Sequence, residues 1–423
     1  MLGLIIIILV LLVFLGLPLF AAVGGITLTL FANTGIDPTV VIAELYRLTS
    51  APTLMAIPLF TLAGYTLAES KAPKRLFNLI DSAIGFLPGG IAIVALVICA
   101  LFTCFTGASG ITIIALGGLL YPILRKQHYS ENFSTGLITC SGSLGLLFPP
   151  SLPLILYGVV AQVQIDHLFI AGIVPGIILI LLLSLYSIKK DEARKIDFNK
   201  LSIRKIKKYF IEAIWEIPIP IIILGGIYSG SVTVVEASSL TAFYVVIVQF
   251  FIKKDLSFKK DFLNIMADST KLVGAILIIL AAAMGFTAYL IDAQVPQAAL
   301  ALIQSNITSK FTFLLLLNIF LLITGSVLDI FSAIIIVVPL IVPISQVYGI
   351  NPIHLGIIFL TNLEIGYMTP PVGMNLFIAS FRFKKSILNL YKVSLPFLFI
   401  LLIGLLLITY IPQLSLFLVD WVF

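Results

Sequence analysis

Residues 102–118 read FTCFTGASGITIIALGG, four glycines and four hydroxyl side chains inside one of the longest apolar stretches of the chain. Residues 321–329, LLITGSVLD, repeat its Thr-Gly core, so that Thr106-Gly107 pairs with Thr324-Gly325. About forty residues beyond each comes a diproline segment, GSLGLLFPPSLPLILYG at 142–158 and EIGYMTPPVGMNLFIAS at 364–380. A backbone break at bilayer depth exposes amides that lipid cannot satisfy, and it is tolerated only against protein, water or a ligand. Glycine permits the torsions of such a break. Proline cannot continue a helix but suits the first turn of a new one. Each diproline therefore predicts one half-helix ending and another beginning.

Working outward, the 423 residues are 60% hydrophobic and 10% charged, and stretches of about 20 apolar residues recur from end to end. The chain is expected to be an all-α polytopic membrane protein without soluble domains. Expected spans are 3–31, 52–69, 133–164, 168–188, 213–229, 233–252, 268–290, 353–381 and 393–418. Two double arms lie at 89–125 and 311–347, and short amphipathic connectors at 39–49, 71–87 and 293–305. Residues 1–31 carry no charge and no clear cleavage site, so they read as an uncleaved first span of a multi-pass membrane protein. Nucleic acid is an unsuitable partner, because the basic residues border apolar spans, where topology accounts for them. Cys99, Cys104 and Cys140 lack metal-ligand spacing and read as free thiols.

Loop 189–212 carries nine Lys/Arg against four acids, and Lys253, Lys254, Lys259 and Lys260 fill the next polar loop. Placing these in the cytoplasm leaves only Arg47 and Lys310 outside and puts the N-terminus inside. The first double arm then enters and leaves from the cytoplasm, and the second from the opposite side. Two inverted repeats follow, 1–188 and 233–423, each with a hairpin and a discontinuous helix, separated by a basic loop and spacer at 189–232. Inverted repeats with interrupted helices are the layout of secondary transporters.

Half-helix C-termini attract cations and N-termini attract anions. Ser109, Ser141, Ser143 and Ser151 add oxygens in the first repeat, and Thr324, Ser326, Asp329, Thr369 and Asn375 in the second. Such hard ligands suit Na⁺ rather than a transition metal. Asp329 is open to two readings that can coexist, a helix N-cap and a cation or substrate ligand. Glu364, the other deep acid, is open to a structural or a functional role. The GASG quartet also raises an intramembrane serine hydrolase, but His128, His167 and His354 lie in loops or at span ends, away from Ser109. No ring-forming polar stripe suggests a channel.

The paired TG hairpins, with GSLGLLFPPSLP, AGIVPG and GYMTPPVGMN, resemble the large membrane subunit of tripartite ATP-independent periplasmic (TRAP) transporters over essentially the whole chain. The chain has TGASG where many members carry SGS. The resemblance implies an elevator-type importer of organic acids such as C4-dicarboxylates or sialic acid, coupled to two or more Na⁺. It further implies a small membrane subunit and a periplasmic substrate-binding protein as partners; without an extra four-helix segment, the chain is expected to need a separate small subunit. By matching position it implies one cation site at Thr106, Gly107, Ser109, Gly142 and Ser143. A second would use Thr324, Gly325, Asp329, Gly366, Met368 and Thr369, with substrate near Ser109, Pro150, Ser151, Pro371 and Asn375. The alternative within transport is a self-sufficient sodium–dicarboxylate symporter.

Overall fold

The computed structural model describes residues 5, 8–9, 11–13, 15–35, 37–49, 52–190 and 202–423. Every regular element among them is helical. The first part of the chain gives α1 (Leu19–Thr34), α2 (Thr39–Thr49), α3 (Ala56–Glu69), α4 (Ala72–Ile84), α5 (Gly90–Thr106), α6 (Ser109–Lys126), α7 (Glu131–Ser141), α8 (Leu152–Ala161) and α9 (Ile165–Lys190). After α10 (Ile203–Glu212) come α11 (Pro218–Tyr228), α12 (Val234–Ile252), α13 (Phe262–Asp292), α14 (Val295–Asn306), α15 (Lys310–Val327) and α16 (Ile330–Val347). The chain closes with α17 (Pro352–Gly366), α18 (Met374–Phe383), α19 (Ile387–Tyr410) and α20 (Gln413–Val422). Six of the described helices are unbroken and long and apolar enough to span a bilayer, and the pair α7–α8, bent by 44°, makes a seventh. This is a polytopic membrane protein.

Two expected spans are divided. The stretch 3–31 turns at Leu15-Gly16, where Gly16 has φ 104°, and α1 starts only after Pro18. Residues 1–4, 6, 7, 10 and 14 lie outside the described residues, as does 191–201 of the basic loop. The stretch 393–418 stops at Tyr410 and restarts after Pro412 as α20, because proline removes an amide the helix interior needs.

Both double arms are helical hairpins, α5–α6 and α15–α16, and both diproline spans are interrupted, α7–α8 and α17–α18. Their packing is exchanged. The first arm of each hairpin packs on the first half of its own interrupted helix, α5 on α7 and α15 on α17. The second arm packs on the second half from the other copy, α6 on α18 and α16 on α8. The second arms also touch the first half-helices that follow them, α6 on α7 and α16 on α17, so the hairpins and interrupted helices from both parts of the chain pack into one body.

Outside this body, connector α4 is anchored by a charge cluster. Arg75 Nε bonds Glu216 Oε1 at 3.0 Å, and its other nitrogens reach Glu216, Asp255 and Gln249. Burial disfavours the charge of Arg75, but its hydrogen bonds to Glu216 and Asp255 outweigh that and hold the guanidinium above its usual range. The cluster ties α4 to the start of α11 and the end of α12.

Candidate functional site

The first hairpin tip is built from neutral groups. Helix α5 ends at Gly107, whose φ of 64° favours glycine, and a Cβ there would meet the Leu152 side chain at 2.4 Å. Ala108 is extended and α6 begins at Ser109. Ser109 Oγ donates to Asn375 Oδ1 at 2.6 Å, joining this tip to α18 of the other copy. Thr103 Oγ1 lies 2.6 Å from Gly142 O and 2.7 Å from Thr112 Oγ1, so it donates to the carbonyl and accepts from Thr112. The carbonyl freed where α7 breaks is thereby held by the hairpin. Thr106 turns inward instead, with its hydroxyl 3.4 Å from Ala108 O.

The second tip is built around a charge. Leu328 is extended, and Asp329 caps α16: Oδ1 accepts from the amides of Phe331 and Ser332 at 3.0 Å each, while Oδ2 takes the Ser332 hydroxyl. The N-cap reading of Asp329 is therefore realised. The Ile330 amide donates to Tyr367 Oη, and Ser326 O accepts from the amides of Val372 and Gly373 at 3.2 Å each. Gly366 presses on the tip backbone, where a Cβ would lie 2.6 Å from Gly325 C. Thr324 and Thr369 spend their hydroxyls on Phe320 O and Gly366 O, at 2.9 and 2.8 Å.

Asn375 joins the two tips. Its amide donates to Tyr367 O at 3.1 Å in the second break, while its side chain holds Ser109 at the first tip. The residues expected of the first site, Gly107, Ser109, Gly142 and Ser143, thus gather near Ser151 and Asn375. Those of the second, Gly325, Asp329, Gly366 and Met368, gather one step away. Pro150 is buried at this junction, whereas Pro371 is exposed on its far rim.

Three polar side-chain atoms in this region are buried without a hydrogen-bond partner among the described residues: Ser143 Oγ, Ser151 Oγ and Asn375 Nδ2. Buried polar groups are normally paired, and each unpaired one costs about 1–3 kcal/mol. The junction is closed to solvent, with Ser143, Ser151 and Asn375 at 0% exposure. Clefts lie beside the junction, one of about 780 Å³ at Gln164 and Asp166, one of about 670 Å³ at Gln162 and Met284, and an apolar one of about 500 Å³ along Cys104 and Pro149. Ser109 is bonded to an amide oxygen, not to an imidazole, and His354 bonds Ser415 and Thr409 instead. The three thiols are free and buried.

Sequence reasoning missed Thr103, Thr112 and Tyr367. The two threonines were visible as hydroxyls in the opening stretch, but nothing in the spacing marked Gly142 O, 39 residues on, as the partner of Thr103, or Thr103 as that of Thr112.

The model of the DctM component of the tripartite ATP-independent periplasmic transporters matches residues 4–414. A C4-dicarboxylate TRAP transporter large permease protein DctM of Pseudomonas aeruginosa is 34% identical over 94% of this chain and 93% of its own length. An isethionate TRAP transporter permease protein DctMQ of Oleidesulfovibrio alaskensis is 34% identical over 95% of this chain and 64% of its own. An ectoine TRAP transporter large permease protein TeaC of Halomonas elongata is 32% identical over 88% and 87%. The crystal structure of the Alcanivorax borkumensis YdaH transporter shares the fold, with a TM-score of 0.60 over 88% of this chain and 87% of that one at 14% identity.

Proposed function

The chain belongs to the DctM family as the large membrane subunit of a TRAP transporter, and from that premise we propose that it imports a small organic acid together with Na⁺. The family implies a small membrane subunit and a periplasmic binding protein beside it. The relatives named for C4-dicarboxylate and ectoine favour a small carboxylate as the substrate here, and the one named for isethionate, a sulfonate, widens the class to small organic acids. The observation that carries this reading is the closed junction at Asn375, with its unpartnered amide nitrogen and the unpartnered hydroxyls of Ser143 and Ser151.

The chemistry of that junction fits a co-bound anion and cations. Half-helices α8 and α18 both begin there and offer N-terminal amides to a carboxylate. No lysine or arginine belongs to either tip, so a co-bound Na⁺ would supply the counter-charge. Thr106, Gly107, Ser109, Gly142 and Ser143 would hold one ion. Thr324, Gly325, Asp329 and the 366–369 turn, including Met368 and Thr369, would hold another. Substrate would lie against Ser109, Pro150, Ser151, Pro371 and Asn375. Asp329 can cap α16 and still face a cation, because a carboxylate oxygen has two lone-pair directions.

The exchanged packing gives hairpins and interrupted helices the cohesion of one moving body, and the Arg75 cluster gives connector α4 the fixity of a frame. On the charge pattern, repeats 1–188 and 233–423 run in opposite senses, the 189–232 region spaces them, and the N-terminus is cytoplasmic. An elevator-like displacement would then expose the junction on alternate sides.

The test is uptake into proteoliposomes across a panel of small carboxylates, with and without an inward Na⁺ gradient. We expect uptake only with the small subunit and binding protein present and only with the gradient. Uptake by this chain alone would indicate a self-sufficient symporter, and uptake indifferent to Na⁺ would remove the coupling.

A further inference from the structure

Helix α3 reads AIPLFTLAGYTLAE and meets different neighbours on different faces. Leu62 and Tyr65 pack against Phe250 of α12 and Ile265 of α13. The Arg75 cluster fixes the connector that follows it. Another face of α3 meets α5, the leading arm of the first hairpin. There Gly64 lies against the last turn of that arm. A Cβ on Gly64 would stand 2.1 Å from Phe105 O, 2.5 Å from Phe105 C and 2.9 Å from Thr106 Cα. All three are backbone atoms, so no change of rotamer could make room.

A second glycine grips the same arm. Gly145, in the break between α7 and α8, would put a Cβ 2.2 Å from Ala100 O and 2.6 Å from Cys104 N. The two contacts are similarly tight but join different parts. Gly145 and α5 both belong to the body of hairpins and interrupted helices. Gly64 belongs to the frame and meets the body across the boundary at which the two would slide. Small residues let membrane helices approach this closely. Phe105 O is among the carbonyls that a helix end leaves without an intrahelical amide, and a bare Cα–H is a group that can come up to it. We propose that Gly64 is a positioning residue of transport: the first hairpin tip seats on its bare Cα at one end of the body's stroke and leaves it at the other. The seat sets where the junction at Asn375 stops relative to the frame, while Gly64 itself binds neither ion nor substrate. This inference rests on the elevator-like reading and adds to it the stop at one end.

The test compares Gly64→Ala with Gly145→Ala in the full-length chain, reconstituted with its small subunit and binding protein. A seat that the body can leave tolerates a methyl, because the body then rests elsewhere; a fixed contact does not. Gly64→Ala should therefore elute and melt as a folded protein, and Gly145→Ala should give little folded material. Cys104, one residue before Phe105 and 2% exposed, lines the apolar cleft together with Leu67 of α3 and reports on the seat. Its alkylation by N-ethylmaleimide, read by mass spectrometry, should be slow in the resting wild type and several-fold faster in resting Gly64→Ala. With succinate as the probe, wild-type alkylation should also quicken during uptake, and turnover of Gly64→Ala should fall at least tenfold with KM retained. The folding and resting-rate comparisons need no substrate. Gly64→Ala as poorly folded as Gly145→Ala would make Gly64 fixed packing and overturn the proposal. Wild-type alkylation that quickens during uptake, with Gly64→Ala matching wild type in resting rate and turnover, overturns the seat and leaves the elevator-like reading standing. Wild-type alkylation equal at rest and during uptake overturns both.

Discussion

The two hairpins solve one problem in different ways. Each breaks a helix pair in mid-membrane and must satisfy the backbone groups it frees. The first, α5–α6, closes on itself, its arms packed together, and uses neutral hydroxyls: Thr103 on Gly142 O and Ser109 on Asn375. The second, α15–α16, is splayed, its arms packed outward on α17 and α8, and its tip is held by the Asp329 carboxylate and Tyr367. On the proposed sodium-coupled reading, a cation at the second tip would be balanced locally by Asp329, whereas one at the first tip, among neutral oxygens, would need the anionic substrate to complete the balance.

The largest effect is expected where the second tip meets its interrupted helix. In Gly366→Ala the new methyl would sit 2.6 Å from Gly325 C and 3.0 Å from Ser326 N, all backbone. No side chain can rotate away, so the cost should reach or exceed the about 1–3 kcal/mol typical of overpacking. We expect little folded protein by size-exclusion chromatography. In Gly107→Ala the three atoms nearest the new methyl all belong to the Leu152 side chain, although φ there is unfavourable, and the change should be milder; equal damage would break the distinction between the tips.

Next come the substitutions that separate cap from charge at Asp329. Asparagine caps a helix as well as aspartate does, whereas losing the cap to alanine costs about 0.5–2 kcal/mol. Asp329→Asn should therefore melt near wild type yet lose Na⁺-dependent uptake, and Asp329→Ala should lose both. Normal sodium stimulation in Asp329→Asn would leave the residue a cap alone.

The smallest effect on uptake is expected at the first tip. Ser109→Ala removes one neutral hydrogen bond and leaves Asn375 Oδ1 bare, costing about 1–3 kcal/mol. We expect weakened substrate affinity in uptake assays with the Na⁺ count retained or lowered by one. Unchanged affinity would take Ser109 out of the substrate contacts.

Much of this architecture was legible in residues 102–118 and their partners. Thr-Gly pairs and diprolines are punctuation that no uninterrupted membrane helix needs, and they located both hairpins and both interrupted helices. The turn at Gly16 to Pro18 and the stop at Pro412 were written in the same signals, but continuous hydrophobicity on either side concealed them. The exchanged packing of α6 on α18 and α16 on α8 was not legible, because contact between segments more than 150 residues apart leaves no periodic trace. Gly142 O and the Ile330 amide, which pair with Thr103 and Tyr367, lie only 39 and 37 residues away, but they are backbone groups that every residue carries and so left no mark in the sequence. Glu364 stood out as a deep acid; that it has no hydrogen-bond partner among the described residues could be learned only from the fold.

The central claim is that the two helix interruptions meet at Asn375 to hold an ion-bound substrate. A high-resolution cryo-electron map of the complete complex, recorded in Na⁺ and again in choline, tests it most directly. Ion density at both hairpin tips in Na⁺, within coordination distance of Ser109 or Gly142 at one and Asp329 or Gly366 at the other, and lost in choline, is the predicted result. Identical maps in the two salts, with both tips filled by protein side chains alone, would contradict it.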